Sequence, residues 1–211
     1  PFLLLLLLKG FWAQTLVLGG VGALLAWWVR RPSNSGAVPT PFSLRPFEFA
    51  VGVRRYWWIL AIAIFLLVQG VRVGNQELAG FAYLAAILLA CQCCAEPEPE
   101  FYVWVHTLSP WDFLLRKLRL VTGQLLVLLA PFAVALLWFF PDSWLLLLVL
   151  TGLGVAHVAL WVVMKYAVYP RPLNVGEAFF IAFALIMPPL LLVLFPLYFV
   201  RARARLNLHL P

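Results

Sequence analysis

Long apolar runs alternate with short polar or proline-rich breaks along the whole chain. Six stretches stand out: Phe11 to Val29, Tyr56 to Gly74, Leu78 to Cys94, Leu120 to Phe140, Trp144 to Val168 and Ala178 to Val200. Each approaches the roughly 20 residues that a helix rising about 1.5 Å per residue needs to cross about 30 Å of hydrocarbon. The breaks carry loop chemistry, as in Arg30-Arg31-Pro32-Ser33, Gly74-Asn75-Gln76, Glu96-Pro97-Glu98-Pro99-Glu100, Pro141-Asp142-Ser143 and Tyr169-Pro170-Arg171-Pro172. The pattern predicts an all-α fold: one polytopic transmembrane helix bundle of about six spans, a single domain over residues 1–211. Pro188 and Pro189 fall inside the sixth stretch, where two adjacent prolines remove two backbone donors and crowd the preceding turn. A kinked or broken last span is expected there.

Composition sharpens this picture. Of 211 residues, 65% are apolar and 11% are charged, against about 25% charged in ordinary soluble domains. So few charges cannot clothe a water-soluble surface. The ten Trp residues fit a bilayer too, because indole rings collect at headgroup level. Residues Leu3 to Leu8 are apolar, but Lys9 follows and no basic segment precedes them, so a cleaved signal peptide is not expected.

The net charge of +7 is read as membrane orientation rather than nucleic-acid binding. Lys and Arg concentrate in the loops after the first, third and fifth spans, which places those loops in the cytoplasm. That assignment leaves Arg201, Arg203 and Arg205 outside if all six spans cross. A re-entrant path at Pro188-Pro189, or a first segment that does not cross, would reverse it. Ala82, Ala86 and Ala90, and Gly152 with Ala156, form small-residue faces that suit close helix packing within the bundle or a homodimer seam.

Candidate chemistry is sparse. Cys91, Cys93 and Cys94 lack the further ligands that a closed zinc site requires and read as small buried or interfacial residues. His157 sits in mid-span, where a histidine hydrogen-bonded between helices or, less simply, a haem or chlorin ligand would fit. No phosphate-loop motif is present, so the chain is not expected to be an enzyme on its own, and no cofactor or metal is expected. Glu96, Glu98 and Glu100 alternate with prolines and read as a solvated linker, where reversing the charge of Glu98 should change little.

The stretch ahead of the fourth span is the most informative. Phe101 to Leu108 is apolar but too short to span and should form an interfacial helix. Ser109 is placed to cap a new helix, Pro110 suits its first position, and Asp112 stands where a capping acid belongs. Phe113 and Leu114 are expected to face lipid while Arg116, Lys117 and Arg119 reach headgroups.

This layout, with Leu108-Ser109-Pro110-Trp111 and Lys117 further on, resembles the permease subunits of ABC-2 type transporters. The basic ending from Tyr198 to Leu208 is similar to theirs as well. The resemblance implies a non-catalytic permease half, in an inner membrane of bacterial type, that moves a lipid, polysaccharide or other amphiphile with a separate ATPase. Partner coupling would run through Phe101, Trp104, Leu108, Ser109, Pro110, Trp111 and Lys117. The rival expectation is a scaffolding membrane subunit of a respiratory or photosynthetic complex, motivated by His157 and the Trp content.

Overall fold

The computed structural model describes residues 48–95, 98 and 108–208. The expected first span, the coupling residues Phe101 and Trp104, and residues 101–107 of the expected interfacial helix lie outside the described residues. Among the described residues the chain is all helical, with no strand. Its α-helices are α1 (Glu48–Arg55), α2 (Trp57–Arg72), α3 (Gln76–Cys93), α4 (Pro110–Phe139), α5 (Trp144–Ala167), α6 (Val175–Ile186) and α7 (Leu191–Leu206). Helices α3 and α4, and α5 with the short turn before it, are long and apolar enough to cross a membrane; α1 and α2, bent by 72° at Tyr56, form a fourth candidate if taken as one broken span.

Helix α3 is the hub and packs against α1, α2, α4 and α5. Its alanines explain why. Ala82, Ala86 and Ala90 are fully buried, so neighbouring backbones approach closely where lipid gives no hydrophobic drive to helix association. The turn into α3 is built from Gly74, whose φ of +65° is left-handed, and Asn75, whose side chain accepts from Leu78 N at 3.0 Å. Polar pinning is local: Thr151 donates to the Leu147 carbonyl at 2.6 Å, leaving Tyr83 of α3 to donate to Thr151 Oγ1 across the interface at 2.7 Å. On α5 the packing glycine is Gly154, where an added Cβ would lie 2.9 Å from Ile87; the expected small residue Gly152 faces open space.

The helix capped at Ser109 runs unbroken for 30 residues from Pro110, so the fourth apolar stretch is continuous with the turns ahead of Leu120. Its inward stripe of Phe113, Leu114, Lys117, Val121, Leu125 and Leu128 has no gap at which to stop. Phe113 and Leu114 are therefore core residues, not lipid-facing ones. The helix also passes through Pro131. Exposed Trp111 near one end and Trp138 near the other stand about 40 Å apart at 1.5 Å per residue, close to the bilayer thickness with headgroups.

The sixth stretch breaks where the prolines predict, at a 3-10 turn over Pro188–Leu190, but it does not cross as one span. An uninterrupted helix from Glu177 to Arg205 would separate these residues by about 42 Å, yet both line one cleft. The chain reverses. Helix α6 rises beside α5, bringing Ala184 against His157, and α7 descends along α5 to end where α6 began. Arg201, Arg203 and Arg205 thus lie at the same end as Lys165 and Arg171.

Candidate functional site: a buried charge network at the basic end

Four charged residues separated widely in sequence converge at this end of the bundle. Glu48 opens α1, Glu98 lies in the connection between α3 and α4, and Lys117 and Lys165 stand on α4 and α5. Lys165 Nζ lies 2.5 Å from Glu48 Oε1 and 4.0 Å from Glu98 Oε1. Lys117 Nζ pairs with Glu48 Oε2 at 2.8 Å and with Glu98 Oε1. Tyr166 donates from its hydroxyl to Glu98 Oε2 at 3.0 Å.

All four charged side chains are less than one-tenth exposed. Two carboxylates facing two ammoniums make the group formally neutral, the condition under which buried charges are tolerated. Burial alone would push the Glu98 carboxyl up. The Lys165 and Lys117 ammoniums, and the hydrogen bond that Lys117 donates, hold it below the usual carboxylate range.

Local sequence explains how the charges reach one another. Phe49 is fully buried beside Glu48, which draws the start of α1 inward. Gly52 permits this approach, because a Cβ there would stand 2.7 Å from the Cys93 backbone. Cys91, Cys93 and Cys94 are all buried free thiols, as their small apolar character suggests. Phe113 meets the Tyr166 ring edge-on at 5.2 Å, closing the network on its apolar side.

Two sequence expectations are overturned here. Glu98 is not a solvated linker residue, because its carboxylate is buried among two lysines and a tyrosine. Lys117 does not reach headgroups, because the helical phase fixed by Phe113 and Val121 turns it inward. Its neighbours Arg116 and Arg119 are exposed.

The cap ahead of Lys117 forms as its residues predict. Ser109 Oγ accepts from Asp112 N at 3.2 Å and donates to Asp112 Oδ2 at 2.6 Å, with Pro110 in the first turn. Leu108 is half-buried against the core and borders an open groove with Leu115, Arg116 and Arg119. Trp111 packs edge-on against Phe199 of α7 at 5.1 Å. His157 stands apart from the network, 4% exposed, its Nδ1 3.1 Å from the Leu153 carbonyl.

Sequence reasoning missed Glu48 and Tyr166 and counted Lys165 only toward orientation. The signal was an acid or a lysine flanked on both sides by apolar residues, Phe47-Glu48-Phe49 and Met164-Lys165-Tyr166, which calls for a buried partner. No family model, characterised protein or solved structure matches the chain.

Proposed function

We propose that the chain is the membrane subunit of an ATP-driven transporter, a permease-like half of ABC-2 type that moves a lipid, polysaccharide or other amphiphile and relies on a separate ATPase for hydrolysis. The observation that carries this reading is the attachment of the connection ahead of α4. Glu98 anchors that connection to Lys117, the lysine of the phrase beginning at Leu108, and through Lys165 and Glu48 to α5 and α1. Displacement of the segment between Glu98 and Leu108 would load three helices together. A freely solvated linker would dissipate it.

Charge distribution supports the same arrangement. Arg54, Arg55, Arg116, Lys117, Arg119, Lys165, Arg171, Arg201, Arg203 and Arg205 gather at the network end, whereas among the described residues the other end has Arg72 with Glu77 and Asp142. With the last hairpin returning, the excess of Lys and Arg orients this end to the cytoplasm, where an ATPase resides. The groove beside Leu108 opens on that side.

Purification of the intact chain from its native membrane in mild detergent, with quantitative mass spectrometry of what accompanies it, tests the proposal. A nucleotide-hydrolysing subunit is expected in near-equal amount, with recovery reduced several-fold by Leu108→Asp at unchanged abundance of the chain. A stable complex of redox proteins with no ATPase would reject it.

A further inference from the structure

The cleft of about 490 Å³ at the foot of the returning hairpin belongs neither to the charge network nor to the groove beside Leu108. Its walls are the end of α5, the start of α6 and the last turns of α7, and it carries Arg171, Glu177, Tyr198, Arg201 and Arg205. Glu177 is already committed. Its Oε1 accepts from Arg171 Nη2 at 2.7 Å, and its Oε2 accepts from Asn174 N at 2.7 Å as part of the α6 capping box.

Arg201 lies over the Tyr198 ring at 5.5 Å. Neither Arg201 nor Arg205 has a carboxylate within ion-pair distance among the described residues. Two guanidiniums four residues apart therefore face one cleft with no acid to balance them.

The level of this cleft is set by α5, whose 24 residues from Trp144 extend about 36 Å and so end at the opposite headgroup region. Below the arginines, Val193, Leu197 and Val200 are exposed at helical spacing on α7, an apolar track leading into the bilayer. A positively charged pocket above an apolar track, at headgroup depth, is complementary to a lipid carrying net negative charge on its phosphate.

We propose that this cleft binds the headgroup of an anionic phospholipid, with Arg201 and Arg205 contacting the phosphate and an acyl chain lying along α7. The site is independent of the transport proposal. Arg203 supplies the internal control, because two residues' rotation from Arg201 puts it on the other side of the helix, outside the cleft.

Native mass spectrometry of the detergent-purified full chain, titrated with phosphatidylglycerol or phosphatidylcholine, reads the site directly. One phosphatidylglycerol is expected to bind with at least about tenfold preference, equivalent to about 1.4 kcal/mol. The preference should vanish in Arg201→Gln/Arg205→Gln and survive within about twofold in Arg203→Gln, and inorganic phosphate should fail to displace the lipid. Equal loss in Arg203→Gln, no preference in the unaltered chain, or displacement by inorganic phosphate at lipid-like concentrations would overturn the proposal. If the double variant aggregates, Arg205→Gln alone is measured, and an undiminished preference there rejects it as well.

Discussion

Glu48→Gln probes the charge network where one partner matters most. Lys165 is 2% exposed and depends on Glu48 at 2.5 Å, its other carboxylate being 4.0 Å away. At an effective dielectric of about 20 these separations correspond to about 7 and about 4 kcal/mol of attraction, so losing the nearer acid removes the larger share. Lys117 retains Glu98. The variant leaves a buried ammonium undercompensated, and the expected loss is about 3–5 kcal/mol.

Lys165→Met leaves Glu48 and Glu98 sharing the single Lys117 ammonium, one buried negative charge in excess, and should also destabilise the fold. The double variant Glu48→Gln/Lys165→Met removes one charge of each sign and should be more stable than either single change. Tryptophan-monitored unfolding in mixed SDS and mild-detergent micelles measures all four proteins. Additive losses in the double variant, or a single loss below about 1 kcal/mol, would mean that Glu48 and Lys165 do not compensate one another.

Further outcomes follow from the same geometry. Because the Glu98 carboxyl is held down to about 2 from its ordinary 4.5, its contribution to stability is present above the ordinary value and is lost as pH falls through the lowered one; thermal unfolding in detergent should weaken across that window, and Glu98→Gln should flatten the dependence. Gly52→Ala forces a methyl group onto the Cys93 backbone and should cost about 1–3 kcal/mol by overpacking, read as a lowered unfolding midpoint; an unchanged midpoint would place α1 farther from α3. Leu148 is 65% exposed on α5, so Leu148→Arg should cost about 2.5–3.5 kcal/mol of insertion free energy in a translocon assay, and normal insertion would put that face in water.

What the sequence made legible was local. Ser109, Pro110 and Asp112 specify a helix start through contacts within three residues, and that start forms as read. The boundaries of α3 and α5 follow from hydropathy and punctuation, and Pro188-Pro189 marks the break before α7. The direction taken after that break was not legible, because a backbone released by two prolines can continue or return, and the choice rests on packing against α5. The network was equally hidden. Glu48 and Lys165 are 117 residues apart, and Lys117 turns inward only because the apolar residues around it fix the phase of α4.

The return of the last hairpin brings the arginine-rich end and the charge network to one membrane face. Single cysteines placed at Asn174 and Asn207 can be labelled from either side of sealed, oriented vesicles with a membrane-impermeant maleimide, against a low background because the native cysteines are buried. Both positions are expected to react from the same side, the side that also exposes a cysteine placed at Arg116. Labelling of Asn174→Cys and Asn207→Cys from opposite sides would mean that this segment crosses the membrane and that the last hairpin does not return.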